Sequence, residues 1–288
     1  MNLQARPRAG LAIKIRLTLR QRTTQTPRSE LPRLTFVPQL FHTEHLESCD
    51  MLTRGNHKLG GSRIWGFGLP AGAPNTCPGM SPVCQTHCYA VAFERYRPTA
   101  SALYRRNLRL ARRRDFVRRV RAFLLLHNVG VVRVHVGGDF FSVRYALRWL
   151  RVMCQSRRTR FYFYTRSWRV PGIKRVIDRM ATLANCRVWY SADRDTGVPT
   201  NIPARVRVAW LMTEPTDLPP PGTNLMFRVR RLRRMPVAAA VTPVCPTEDG
   251  RPRAVRVTCE RCGLCWRPLP TNRTPLTVVT PARPGRCP

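Results

Sequence analysis

Seven of the eleven cysteines fall into two groups whose spacing is typical of metal ligands. The first group, in CPGMSPVCQTHCYA, contains Cys77, Cys84 and Cys88 in the pattern C-x6-C-x3-C. Three thiolates on one loop can bind a four-iron cluster and leave one iron open to an exogenous ligand. His87 could instead complete a zinc site as the fourth ligand, so this pattern alone leaves the metal open.

The second group has the pattern C-x13-C-x2-C-x2-C and contains Cys245, Cys259, Cys262 and Cys265. One distant cysteine with three closely spaced ones is typical of four-cysteine iron–sulfur ligation, whereas zinc sites more often use two separated C-x2-C pairs. The spacing therefore favours a [4Fe-4S] cluster here too, with Zn as the alternative. Disulfides are not expected, because we interpret the chain as cytoplasmic.

Three further motifs place polar residues directly after predicted strands. HVGGDFF contains Gly137, Gly138 and Asp139, YTRSW contains Arg166, and SADRDTG contains Asp193 and Asp195. Active sites of parallel α/β folds collect at the carboxyl ends of strands. The arginine could clamp a phosphate or a carboxylate, and the two later aspartates could bind ribose or transfer protons. The alternatives are a solvated arginine and aspartates that cap their own loop.

Alternating strands and helices are predicted to position these motifs. Strand patterns occur in RIWGFG, VVRVHVGG, RFYFYT, CRVWYS, VRVAWLM and NLMFRV. Helical spacing runs from about residue 99 to 127, where Asp115 is predicted to cap a second helix, and resumes after Ser142 and at Pro171. These units imply a parallel sheet, either closed into a barrel or open and doubly wound. Cys154 and Cys186 lie in apolar patterns and are predicted core residues.

The net charge predicts a polyanionic partner. The chain has 51 basic and 15 acidic residues, a formal charge of +36. Such a field attracts nucleic acid or a nucleotide. The arginine-rich ridge at residues 105–121 is either a solvated helix face or a phosphate-binding surface. No run of 18 apolar residues occurs, so we expect no membrane partner. His135 and the tryptophans of the strands are interpreted as core residues rather than as ligands or stacking platforms.

Five motifs in order resemble the phage "gene product 88" domain family: LPAGAPNTCPGMSPVCQTHCYA, HVGGDFFS, YTRSW, SADRDTG and CERCGLCW. The resemblance covers about residues 56–266. That family is similar to radical S-adenosylmethionine (SAM) enzymes, which implies a partial (β/α)6 barrel of radical-SAM type. Cys77, Cys84 and Cys88 would then ligate a [4Fe-4S] cluster. Their spacing departs from the usual C-x3-C-x2-C of those enzymes.

The same resemblance implies roles for the polar motifs. Gly137, Gly138 and Asp139 match a Gly-Gly-Glu motif that contacts the SAM amino group, with Asp in place of Glu, and Arg166 would bind the SAM carboxylate. The second cysteine group would hold an auxiliary cluster. Residues 1–55 are then a basic N-terminal extension, 56–243 the barrel domain and 244–288 a cysteine-rich metal-binding segment.

These observations predict a phage or phage-derived iron–sulfur enzyme in the cytoplasm of a bacterial host. Its substrate would be nucleic acid or a nucleotide, its catalytic residues Asp139, Arg166, Asp193 and Asp195, and its reductant a protein such as a flavodoxin or ferredoxin. The alternative is a non-catalytic nucleic-acid-binding protein in which both cysteine groups are structural zinc sites. A protein that only passes electrons between two clusters is a third possibility.

Overall fold

The computed structural model describes residues 51–267, apart from residues 57, 62, 73–75, 234, 236–241 and 249–256. The alternating stretch at residues 11–19, and nearly all of the basic N-terminal extension, lie outside the described residues. Among the described residues, no helix has both the length and the apolar character needed to cross a membrane.

Seven strands form one sheet in the order of the sequence. They are β1 (Thr53–Arg54), β2 (Ile64–Phe67), β3 (Val131–Val134), β4 (Arg160–Thr165), β5 (Cys186–Ala192), β6 (Val206–Met212) and β7 (Leu225–Arg228). β1 is antiparallel to β2, and each later strand pairs in parallel with the one before it. A doubly wound sheet reverses its strand order, so that alternative is wrong. β1 and β7 are the two edges of the described sheet.

The helices of the described residues are α1 (Pro82–Thr86), α2 (Tyr89–Tyr96), α3 (Pro98–Arg112), α4 (Phe116–Leu126), α5 (Val143–Gln155), α6 (Pro171–Ala181) and α7 (Cys259–Cys262). Residues of α3 to α6 pack on one face of the sheet, where Phe67, Phe161 and Phe163 contribute to the main core. Because side chains alternate along a strand, Tyr162 and Trp189 lie on the opposite face, next to the second cysteine group.

The predicted helical region at residues 99–127 is two helices, α3 and α4. Asp115 lies at the N-cap position of α4, as predicted, but its side chain makes no capping hydrogen bond. It pairs instead with Arg113 and Arg119, each at 2.8 Å. Hydrogen bonds from Arg113 and Arg119 hold the pKa of Asp115 well below its usual value. The cap of α5 is confirmed, because Ser142 accepts a hydrogen bond from a backbone N–H in the first turn.

The core predictions are confirmed with one exception. Cys186 is buried, but Cys154 is exposed, because it lies on the solvent side of the last turn of α5. His135 directly follows β3 with a φ of 66° and is buried, with its Nε2 2.9 Å from the Tyr145 hydroxyl. Burial lowers the pKa of His135 to about 3. Trp189 is likewise a buried strand residue.

Candidate metal centres

The loops after β2, β3, β4 and β5 meet at the carboxyl edge of the sheet, around the first cysteine group. Neighbouring parallel strands end side by side, so motifs that are distant in sequence become adjacent there. The β2 loop carries the cysteines, and the next three loops carry Asp139, Arg166 and Asp193. The structure therefore brings together four of the motifs that the sequence singled out.

Asp139 holds three of these loops together. One carboxylate oxygen accepts hydrogen bonds from the Phe140 N–H and the Thr165 hydroxyl, at 2.7 and 2.6 Å. The other accepts from the backbone N–H groups of Arg166 and Ser167. The backbone N–H of Asp139 donates to the Thr76 carbonyl of the β2 loop at 3.0 Å. Since both oxygens have donors from the chain, Asp139 acts on the site by fixing the loops.

The glycine pair allows the β2 and β3 loops to touch. Gly138 has a φ of 74°, and a Cβ there would lie 2.6 Å from the Leu69 Cβ. The Gly137 carbonyl accepts the Leu69 N–H at 2.9 Å. A larger residue at Gly138 would push the two loops apart, so this glycine has a packing role here.

A buried ion pair lies beside the first cysteine group. Arg166 Nη1 is 2.6 Å from Asp193 Oδ2, and the two side chains are 9% and 0% exposed. The N–H is not aligned for a hydrogen bond, so the contact is one of charge. Asp193 Oδ2 also accepts the Ser81 hydroxyl at 2.6 Å, which ties the cysteine loop to the β5 loop. The same Ser81 oxygen caps α1 by accepting the Cys84 N–H.

Further contacts anchor the cysteine loop on its neighbours. Asp195 Oδ2 accepts the Val83 N–H in the first turn of α1 at 2.8 Å. Arg169 Nη1 donates to the carbonyls of Gly79 and Met80, both at 3.1 Å. A Cβ on Gly79 would lie 2.0 Å from the Arg166 carbonyl oxygen, so the two backbones are in direct contact. Both predicted aspartates, Asp193 and Asp195, therefore position the cysteines.

The thiols of the first group are close enough to affect one another. Burial raises the pKa of Cys77 to about 12, and the neighbouring charges of Asp139 and Cys84 add to the shift. Burial also raises the pKa of Cys84, while the Arg166 guanidinium opposes that shift. Arg166 thus lies between a thiol and a carboxylate. A guanidinium in this place stabilises a thiolate and any other anion that reaches the site.

The second cysteine group lies on the face of the sheet opposite α3 to α6. Cys245 is 4% exposed and pairs through its N–H with a carbonyl of β7. The N–H of Cys259 donates to the Lys58 carbonyl at 2.9 Å. The Tyr164 hydroxyl is 2.7 Å from the Cys265 sulfur, and the Trp189 indole N–H donates to the Cys265 carbonyl. Both segments that carry these cysteines are therefore fixed to the sheet.

The thiols of this group also interact, and cations surround them. Burial raises the pKa of Cys265, and the other three cysteines of the group add to that shift. Lys58 and Arg133 oppose the upward shift in the pKa of Cys259 that burial causes. Arg133 Nε and Arg207 Nη1 are buried and have no hydrogen-bond partner among the described residues.

These features test whether the residues fit a metal or cluster. In the described ranges, no three His, Cys, Asp or Glu side chains are arranged to hold a metal ion as they stand. Buried cations need compensating negative charge, and the described acid next to Lys58 is Glu248 alone. Four thiolates bound to a metal centre would supply that charge to Lys58, Arg133 and Arg207. The donor set and its charges therefore fit a cysteine-ligated centre.

Sequence reasoning missed several of these residues. Tyr164 belongs to the YTRSW motif, and its alternation with buried neighbours could have placed it on the cysteine-covered face. Arg133 is a charged residue inside an apolar strand, which is a signal of a buried partner. Ser81, three residues before Cys84, has the spacing of a helix cap. No sequence signal pointed to Lys58.

The fold and site define a parallel α/β protein with one cysteine group in a loop at the carboxyl edge of its sheet and a second on the sheet's face. The family model described as Gene product 88 matches residues 50–268, and the chain belongs to that family. Two curated relatives, each called Gene 88 protein, come from Mycobacterium phages D29 and L5. Each is 30% identical over 142 residues, which cover 45% of this chain and 57% of the relative. No solved structure matches the chain.

Proposed function

We propose that this phage-family protein is an iron–sulfur enzyme of radical-SAM type whose open cluster site is Cys77, Cys84 and Cys88. One observation carries the proposal: three neighbouring loops at the carboxyl edge anchor the cysteine loop and place the Arg166 guanidinium against Cys84. Such convergence on one loop is expected for an active site of a parallel α/β protein. The sequential sheet, with α3 to α6 on one face, agrees with a partial barrel.

The chain's own residues have distinct roles in this proposal. Three cysteines would hold a [4Fe-4S] cluster, which would supply the electron that cleaves SAM. Arg166 is the cation available to the SAM carboxylate or a substrate phosphate, while Asp193 holds its guanidinium in place. Asp139 and the glycine pair fix the loop geometry. Asp195 holds α1, and the second group would hold an auxiliary cluster.

The proposed substrate is nucleic acid or a nucleotide, and the reductant is a protein such as a flavodoxin or ferredoxin. The formal charge of +36 supports a polyanionic partner. The proposed location is the bacterial cytoplasm, where thiols remain reduced. Association with nucleic acid would follow from charge, whereas chemistry would follow from the first cysteine group.

The deciding experiment is anaerobic purification of the full chain, with iron, zinc and sulfide analysis and EPR of the reduced protein with and without SAM. Cys84→Ala is the test variant, and Cys154→Ala, which changes an exposed cysteine outside both groups, is the matched control. Iron with sulfide, and a SAM-dependent EPR change lost only in Cys84→Ala, supports the proposal. Zinc without sulfide in the purified protein contradicts it.

A second candidate is a nucleic-acid-binding protein with structural zinc. The observation in its favour is the group of four cysteines, all buried or partly buried, since structural zinc sites are closed by four protein ligands. Zinc at this group, with no change in nucleic-acid affinity when Cys84 is replaced, would support this candidate. Loss of folding in Cys262→Ser, but not in Cys84→Ala, would point the same way.

A further inference from the structure

Helix α2 exposes three aromatic rings on one face. Tyr89, Phe93 and Tyr96 are 60%, 43% and 81% exposed. Their spacing of four and three residues places them within one narrow stripe of the helix surface. Aromatic residues are usually at least partly buried, so a contiguous exposed stripe marks an interaction surface. The face of α2 that contains Ala90 packs against the protein.

This stripe begins at the first cysteine group. Tyr89 directly follows Cys88, and its hydroxyl donates to the Val136 carbonyl at 2.6 Å. The same hydroxyl accepts a hydrogen bond from Arg133 Nη2 at 2.9 Å. These two bonds fix the first ring at the carboxyl edge of the sheet. A ligand that lies along the stripe therefore has one end beside the proposed open cluster.

The ring spacing suits a chain of unpaired bases. A helix rises about 1.5 Å per residue, which separates the first two rings by about 6 Å along the axis and the last two by about 4.5 Å. The small Ala92, which flanks the stripe three residues after Tyr89, is also exposed. Three rings over about 10 Å can stack two or three bases, and every base has a π-face whatever the sequence.

The charges on α2 and α3 select the partner. Arg95 and Arg97 are exposed at the end of α2, and Arg105 and Arg109 are exposed on α3. Glu94, the acid of α2, accepts a hydrogen bond from the Ala71 N–H. A partner that combines flat apolar faces with negative charge is a single-stranded nucleic acid, because a duplex hides its base faces.

We propose that Tyr89, Phe93 and Tyr96 form a stacking platform that holds a single strand with its end at the first cysteine group. This inference rests on the proposed nucleic-acid substrate and adds two statements to it. The substrate is single-stranded or locally unpaired, and α2 is the element that binds its bases.

The test compares the full chain with the double variant Phe93→Ala/Tyr96→Ala. Two further variants accompany it. Phe93→Leu/Tyr96→Leu also removes the rings but keeps apolar side chains. The control, Leu125→Ala/Leu126→Ala, removes side chains that are 75% and 81% exposed on α4. The probes are labelled 12-nucleotide DNA and RNA strands and their duplexes, measured by fluorescence anisotropy at two salt concentrations. Sedimentation gives the oligomeric state of each protein.

We expect both ring-removing variants to weaken single-strand binding by at least about tenfold, with duplex binding and the salt dependence unchanged. The α4 variant should bind as the unchanged protein does. Unchanged single-strand affinity in the ring-removing variants overturns the inference and leaves the nucleic-acid proposal standing. Failure of the unchanged protein to bind any probe at low salt overturns both. A dimer that the alanine variant dissociates would show that a second copy covers the stripe, which also overturns the inference.

Discussion

At the residue scale, Arg166 connects the electrostatics of the first cysteine group to the stability of the loops. Its guanidinium lies between the Cys84 thiol and the Asp193 carboxylate, and the ion pair with Asp193 is almost fully buried. Removal of one partner of a buried pair leaves an uncompensated charge, which is strongly destabilising.

We predict that Arg166→Gln lowers the free energy of unfolding by about 3–5 kcal/mol, as measured by urea denaturation. Arg166→Lys keeps the charge and should cost less. The matched control is Arg194→Gln, which breaks a pair of similar length, 2.7 Å, at the surface. Surface pairs contribute little, so this variant should unfold close to the unchanged protein. Equal losses in Arg166→Gln and Arg194→Gln would contradict the prediction.

His135 gives the protein a pH dependence of known sign. Its pKa is lowered to about 3 by burial, so the folded protein keeps it neutral while the unfolded chain protonates it below about 6.5. Stability from this group is present above the unfolded pKa and is lost as the pH falls through the window between the two values.

Between about pH 7.5 and about pH 5.0, His135 should account for a loss of about 2 kcal/mol in the free energy of unfolding. The variant His135→Asn tolerates the positive φ and has no proton to gain. Its own packing cost is the same at both pH values, so the difference between the two proteins isolates the proton. Urea denaturation at each pH measures the free energy of unfolding of both proteins. An equal loss in the two proteins between these pH values would contradict the prediction.

At the element scale, the cysteine loop depends on backbone contact with the β4 loop. Gly79 leaves no space for a side chain, because a Cβ would lie 2.0 Å from the Arg166 carbonyl oxygen. Gly79→Ala must therefore push the two loops apart. We expect a loss of about 1–3 kcal/mol in stability and faster proteolysis in the cysteine loop. Gly130→Ala, where nothing lies within 4 Å, is the control and should show neither change.

The sequence predicted most elements of this fold. Strands β2 to β7 were visible as apolar runs, and the cap at Ser142 and the start at Pro171 are where their residue types predicted them. Helices α1 and α2 were missed. α1 has five residues, too few for a periodic pattern, and the apolar residues of α2 lie largely on its exposed face. Although its aromatic residues recur at helical spacing, α2 has 8 residues, fewer than the window of about 11 over which such periodicity is recognised.

The sequence predicted which residues lie together after the strands, but it did not predict their contacts. Spacing and position after strands identified the cysteines, Asp139, Arg166 and Asp193. Their partners are set by tertiary contacts, so the sequence could not show that Asp139 accepts four hydrogen bonds within the chain. The cations beside the second group, such as Arg133, come from strands and loops that only the fold brings together.

At the scale of the whole molecule, the excess of arginine creates a field that acts on any polyanion. Arg105, Arg109 and Arg112 are exposed on α3 at spacings of four and three residues, so they share one face. That face belongs to the helix that follows α2, and Arg105 is close enough to Glu94 of α2 to oppose the rise that burial causes in the pKa of Glu94. A row of cations on α3 can therefore follow the phosphates of a strand whose bases lie on α2.

We predict that binding of a single strand weakens steeply with salt, because each phosphate contact releases counterions. Replacement of Arg105, Arg109 and Arg112 by Gln should reduce the slope of log K against log[salt] by about 2, since each contact with a single strand contributes about 0.7. The control replaces Arg157, Arg158 and Arg175, which are also exposed but belong to the α5–β4 loop and to α6, and it changes the net charge by the same amount. Anisotropy titrations from low to high salt measure both slopes.

If the slope falls by the same amount in the two triple variants, the charge acts only as a uniform field and α3 is not part of the binding surface. A loss confined to the α3 variant places the strand along α3 and beside the stripe on α2.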